Sequence, residues 1–235
     1  MAQLLLSFPA EKILSFGLSS DTIGFTVGAD ADYQFRLVEY AEDLDAAESF
    51  TAWDYDAFGR KIAESVYTDT SATRTVYLYD GWRPYEEVAV DLDDDSTRVA
   101  AVYVPGPGYI DDVVATVRDQ DGDGFESDEL FYHLTDQQHS TVALLDATGN
   151  YILERYSYDE FGAPSFYDGD GTPRADSLLH NPRLYTGQRY LPDLNVYDYR
   201  QRLYDPAQGR FTARDPIGAF GDMATRAYAA AHLDL

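Results

Sequence analysis

The chain has no cysteine, and only two of its 235 residues are lysine. Without cysteine, disulfides, thiolate metal sites and cysteine catalysis are excluded. Basic residues number 17 against 42 acidic ones, a formal net charge of −25. That balance argues against a nucleic-acid binder, whose affinity for phosphates needs a basic surface. It argues equally against docking on an anionic membrane. No apolar run approaches the ~20 residues of a membrane-spanning helix. The first ten residues, Met1 to Ala10, hold a short apolar run without a positive leader, so they are not read as a signal peptide. There is no Gly-x-Ser-x-Gly elbow and no Gly-x-x-x-x-Gly-Lys phosphate loop.

What the chain does have is tyrosine, aspartate and tight-turn chemistry. Hydrophobic residues at 45% and aromatics at 14% are too many for a disordered acidic chain. Tyrosine, at 20 residues, favours strands. The spacing predicts strands over Lys61–Tyr67, Thr73–Tyr79, Glu86–Val90, Arg98–Val104, Val113–Arg118, Glu129–Leu134, Thr141–Leu145, Asn150–Tyr158, Arg183–Thr186, Asn195–Tyr204 and Gly209–Ala213. In Thr73–Tyr79 the alternation puts Val76 and Leu78 on one face and Thr75, Tyr77 and Tyr79 on the other. Asp-x-x-Gly recurs at Asp56–Gly59, Asp146–Gly149, Asp159–Gly162 and Asp215–Gly218. Those are the preferred first and fourth residues of a type I turn, and the Asp carboxylate can accept backbone N–H groups inside it. Part of the aspartate excess therefore belongs to turns. A longer pattern, Tyr-Asp-x-Phe-Gly, occurs at Tyr55–Gly59 and again at Tyr158–Gly162. The fold class read from this is all-β, an array of antiparallel β-hairpins. Short helices are expected near the termini, at Ala41–Phe50 and Ala224–His232.

The C-terminal third carries a family resemblance. Arg183-Leu-Tyr-Thr-Gly-Gln-Arg-Tyr190 leads through Val196-Tyr-Asp-Tyr-Arg-Gln-Arg-Leu-Tyr-Asp-Pro206 to Gly209-Arg-Phe-Thr-Ala-Arg-Asp-Pro-Ile-Gly218. This closely resembles the RHS repeat-associated core of RHS/YD-repeat proteins. Phe131–Gly149, Glu154–Gly162 and Tyr77–Trp82 resemble the family's repeats, so the resemblance covers about residues 50–218. It divides the chain into an undefined segment (1–50), a YD-repeat-like hairpin array (51–182), the core motif (183–218) and a divergent tail (219–235). The resemblance implies hairpins wound into a hollow shell that encloses or delivers a C-terminal toxin or effector. It also implies protein partners and a secreted or cell-surface location. After Gly218 the family pattern is lost, and a truncated or shifted reading frame is the expectation. Open β edges and self-association are expected of such a fragment.

Three sites are candidates for chemistry. Some family members cut themselves with aspartates of paired Asp-Pro-x-Gly motifs. Arg214 and Asp215 match the first motif; the second has no counterpart, so no enzyme activity is expected. Around Asp119, Asp121, Asp123, Ser127, Asp128 and Glu129, carboxylates stand at positions 1, 3 and 5 of a loop with Gly124 at position 6. Hard oxygen ligands at that spacing suit calcium, and the glycine allows the sharp turn. Leu130 occupies the twelfth position, where a calcium loop of this type has Glu. The competing reading is a solvated acidic hairpin loop. His133 and His139 lie six apart across an expected turn, and each is read as a hairpin residue first. Trp53 and Trp82 could line a carbohydrate face or pack between hairpins. The leading function is a non-enzymatic RHS-shell segment. The alternative is a calcium-dependent extracellular adhesion or carbohydrate-binding module.

Overall fold

A computed structural model describes residues 2–7, 13–18, 22–27, 35–41, 50–56, 58, 60–200 and 202–212. Up to residue 50 it is described by backbone pairing alone. Both expected helices, at Ala41–Phe50 and Ala224–His232, fall essentially outside these residues, as do Arg214 and Asp215.

Alternation and turns give two sheets. The first has 15 strands: β1 (Ala2–Ser7), β2 (Ile13–Leu18), β3 (Thr22–Val27), β4 (Phe35–Ala41), β5 (Phe50–Tyr55), β6 (Lys61–Tyr67), β7 (Ala72–Asp80), β8 (Arg83–Asp91), β9 (Thr97–Pro105), β10 (Val113–Arg118), β11 (Leu130–Thr135), β12 (Thr141–Leu145), β13 (Ile152–Tyr158), β14 (Pro164–Asp168) and β15 (Pro173–Arg174). From β3 to β15 each strand pairs antiparallel with the next; β1 lies parallel to β3, and β2 forms the far edge. The second sheet has four short antiparallel strands: β16 (Arg189–Leu191), β17 (Val196–Asp198), β18 (Leu203–Asp205) and β19 (Arg210–Phe211). The described chain is thus an all-β hairpin array.

The turns form as their residues dictate. Asp159 accepts the backbone N–H groups of Phe161 and Ala163 at 2.9 and 2.8 Å, and its carbonyl accepts Gly162 N–H. Asp146 does the same for Asn150 and Tyr151, and Asp56 for Phe58 and Arg60. Each carboxylate replaces water on donors that a tight turn leaves unpaired.

Two expected strands are corrected. Arg183–Thr186 is no strand: Tyr185–Gly187 makes a single 3-10 turn, and Arg183 contributes one isolated bridge to Arg189. Asn195–Tyr204 is two strands, β17 and β18, because Arg200 turns the chain at φ +67°. The alternation in β7 is right, but its tyrosine face is the one covered. Tyr77 is buried, while Val76 and Leu78 are only partly covered.

The second sheet and the turn before it pack on one face of the first. Phe131, Leu144, Tyr156, Leu184, Tyr190 and Tyr197 form the shared core. Tyrosine suits this position because its ring fills the core while its hydroxyl finds backbone. Tyr197 donates to Gly162 O at 2.8 Å and Tyr158 to Thr141 O at 2.6 Å. Gly162 sits at φ +92° directly beneath the Tyr185 ring, where a Cβ would come within 2.5 Å of a ring carbon. Gly187, at φ +71°, approaches Asp111 O so closely that a Cβ would lie 2.5 Å from it.

Candidate functional site

The two sheets meet in a buried polar cluster built by strand register. Tyr77 stands opposite Glu87, Glu87 opposite Ala101, and Ala101 opposite Arg118. The four residues run in a row across β7, β8, β9 and β10. Ala101, fully buried, is small enough for Glu87 and Arg118 to meet above it at 3.0 Å. Tyr103, two residues along β9, donates to Glu87 at 2.6 Å. From the second sheet, Arg189 closes the cluster. It donates to Glu87 at 2.6 Å and to the Tyr77 hydroxyl at 2.9 Å, with its guanidinium 4.6 Å from the Tyr77 ring centre. Burial alone would push the Glu87 carboxyl up. The charges of Arg189 and Arg118, with the Tyr103 hydrogen bond, outweigh it and hold the group well below the usual carboxylate range.

Two further contacts clamp the same face. Asp198, paired with Arg189 across β16 and β17, lies 3.5 Å from the buried Lys61 ammonium, which also lies 3.4 Å from Glu64. Asp111 accepts Gln188 Nε2 at 2.7 Å and pairs with Arg200. Between these contacts runs a cleft of about 430 Å³, counting the part open to solvent.

None of these residues stood out in the sequence. The usable signal was scarcity: with 17 basic residues in all, those lying inside strands, such as Lys61, Arg118 and Arg189, are the ones to suspect of buried pairing.

The acidic loop lies between β10 and β11, as expected, with one 3-10 turn at Ser127–Glu129 before β11. Of its six candidate ligands, Asp119, Asp121 and Glu129 bring oxygens within 4.8 Å of one another. Ser127 and Asp123 are exposed, and Asp123 lies close enough to Asp121 that their contact raises its carboxyl above the ordinary value. The fit to a divalent cation is partial, because protein donors already serve these oxygens. Arg98 donates to Asp119 at 2.6 Å, Gly122 N–H to Asp119 at 2.7 Å, and the N–H groups of Gln120 and Glu126 to Glu129 at 2.6 and 3.0 Å. Arg98 supplies the positive charge that an ion would otherwise bring.

The histidines are apart in role. The His133 ring bridges Thr116 and Thr141, at 2.9 and 3.3 Å. His139 stacks on Tyr109 and lies 3.6 Å from Asp112. The tryptophans share no face: Trp53 is buried and donates to Glu64 at 2.6 Å, whereas Trp82 is exposed beside Phe58.

No family model matches the chain. In sequence it is 39% identical to the Escherichia coli (strain K12) protein YlbH over 87 residues, 37% of this chain and 34% of YlbH. It is 28% identical over 200 residues to the tRNA3(Ser)-specific nuclease WapA of Bacillus spizizenii, and 26% to the tRNA nuclease WapA of Bacillus subtilis (strain 168). Each match takes in 84% of this chain and 7% of WapA. In structure it is similar to the crystal structure of TcdB2–TccC3–Cdc42, with a TM-score of 0.59 at 18% identity, over 85% of this chain and 9% of that one. The Photorhabdus luminescens Tc holotoxin pore gives the same score.

These likenesses support an RHS-type relationship. They do not single out the C-terminal core motif. The chain spans about a third of YlbH and less than a tenth of WapA. Among the described residues, no helix is long and apolar enough to cross a membrane.

Three outcomes follow from this geometry. Glu87→Ala leaves two buried guanidinium groups without their shared carboxylate, and should cost about 3–5 kcal/mol in urea unfolding; a cost below about 1 kcal/mol would remove the clamp from the account. For His133, burial and the Arg183 charge push the imidazole down to about 3. The unfolded chain takes up that proton from about pH 6.5 downward while the folded chain does not. Stability is therefore lost between pH 6.5 and 3, by up to about 2 kcal/mol at pH 5. In His133→Gln this part of the slope should vanish, so the two proteins should converge in stability between pH 7 and 5. In Arg98→Gln, millimolar calcium should raise the melting temperature by a few degrees, roughly 1 kcal/mol, and more than in the parent. A shift in neither protein would end the cation reading of the loop.

Proposed function

We propose that this chain is a non-catalytic wall segment of an RHS/YD-repeat shell, which in a longer protein helps enclose or deliver a C-terminal toxin or effector. The observation that carries this reading is the architecture. A single run of antiparallel hairpins pairs strand to strand from β3 to β15, and a second small sheet is fixed to one face of it by buried charge. Edge-to-edge hairpins satisfy their backbone groups through their neighbours, which is what a wall needs. The extent of the match to WapA supports the same reading: most of this chain corresponds to a small part of a much longer protein. Its partners would then be the adjoining wall and the enclosed domain. An extracellular or cell-surface setting goes with the resemblance.

The β15 end bears on self-association. That edge is two residues long and begins with Pro173, which has no N–H to offer an incoming strand.

A wall segment does no chemistry. With a single Asp-Pro-x-Gly motif in its sequence, the purified chain should remain one species of 26.4 kDa on prolonged incubation. It should also leave tRNA uncut. A defined cleavage near Asp215 in the intact-mass spectrum, or cut tRNA, would defeat the non-catalytic reading. The wall reading has its own test. A WapA chimaera in which this chain replaces the matching 200 residues should be cut by added protease no faster than the parent WapA measured beside it. A chimaera that folds but is cut throughout would count against it.

A further inference from the structure

The cleft between the sheets is not electrically balanced. Of the charged groups around it, Lys61 is shared by Glu64 and Asp198, Arg118 and Arg189 share Glu87, and Arg200 pairs with Asp111. That sets four cations against four carboxylates. Arg183 is a fifth cation. It is 6% exposed and lines both this cleft and a smaller one beside it. Among the described residues, no carboxylate lies within ion-pair distance of its guanidinium. Its Nε–H has no acceptor, and Nη1 reaches Gly187 O only at 3.4 Å. The Tyr103 ring, 5.3 Å away, gives it a π face but no negative charge. Asp112 lines the smaller cleft, yet its carboxylate lies against His139 and the Gly106 backbone.

A buried guanidinium without a counter-charge is costly, and buried N–H groups are nearly always paired. Ordered water can satisfy an N–H, but it brings no charge. We propose that this cleft is a binding site for a carboxylate, held on the Arg183 guanidinium. One negative charge would balance the one uncompensated cation. The planar fork of arginine matches the two oxygens of a carboxylate. A phosphate dianion fits less well, because its second charge would face Asp111 and Asp198. The carboxylate could belong to a free small acid or to an acidic side chain of a polypeptide seated on this face. The inference does not depend on the shell reading.

The test uses the whole chain with ¹⁵N-labelled arginine side chains. The Arg183 Nε–H resonance is assigned by its loss in Arg183→Lys. Formate and the blocked amino acid N-acetyl-aspartate methylamide are each titrated at constant ionic strength, against chloride and inorganic phosphate. The expected result is a saturable shift of that one arginine signal with at least one carboxylate probe, and none with chloride. Response to both probes points to any small carboxylate, and response to the aspartate derivative alone points to a polypeptide source. No saturable shift with either probe would overturn the proposal, as would equal or tighter binding of chloride or phosphate. Should Arg183→Lys not fold, the resonance is assigned by through-bond correlation in the parent, whose melting temperature then decides. It should rise by a few degrees in formate or in the aspartate derivative relative to chloride, and an unchanged value with both would overturn the proposal.

Discussion

The arrangement of the molecule turns on one buried carboxylate. Glu87 lies near the middle of β8, 2% exposed, where a strand in a packed sheet would ordinarily present an apolar side chain. Left unpaired it would be strongly destabilising. It is stable there because three donors converge on it: Arg118 from its own sheet, Tyr103 from the adjacent strand, and Arg189 from the second sheet. The last of these joins the two sheets. Arg189 reaches Glu87 with the short C-terminal sheet on this face in this register, so this pair acts together with the shared aromatic core and the Lys61–Asp198 and Asp111–Arg200 contacts to set where that sheet sits. Buried ion pairs contribute little net stability against an apolar alternative, but a broken one costs much. Such a contact selects an arrangement more than it strengthens one.

Aspartate and tyrosine divide the remaining work. Aspartates at 56, 146 and 159 each tie two backbone donors of a turn, which sets where one hairpin ends and the next begins. Tyrosines fill the space between sheets and bond across it. Tyr197 reaches the Gly162 carbonyl and Tyr204 the Phe161 carbonyl, and both acceptors belong to the second Tyr-Asp-x-Phe-Gly turn. That turn is thus both the end of a hairpin and the seat of the second sheet.

The acidity of the chain looks different once its cations are located. Lys61, Arg118, Arg183 and Arg189 are largely withdrawn from solvent, although basic residues are few. Buried carboxylates such as Glu87, Asp111, Asp119 and Glu154 go in with them, so the exterior keeps the strongly acidic character of the chain as a whole. Part of its scarce positive charge thus lies inside, where the low dielectric makes each charge count for more.

Much of the fold was legible in the sequence. Period-two alternation in β6, β7 and β10, and the Asp-x-x-Gly spacing, follow from the pleat and from turn sterics, which are local. The RHS-type relationship was legible too, because the stretches Arg183–Tyr190 and Val196–Pro206 resemble that family's sequence. The strand β14 was not seen, because its opening Pro164 and short length weaken its pattern, and β17 and β18 were merged because Arg200 gives no sign of the left-handed backbone it adopts. The acidic loop was found by its carboxylates, but the Arg98 that neutralises it lies 21 residues away on another strand. The clamp at Glu87 was not found at all. Its members lie at 77, 87, 103, 118 and 189, and nothing local distinguishes a glutamate that faces water from one that faces two arginines. The sequence by itself determined hairpins, turns and the aromatic character of the covered face, because those depend on neighbours along the chain. Which charges meet, and which one is left without a partner, was decided only when register and sheet packing brought distant residues within a few ångströms.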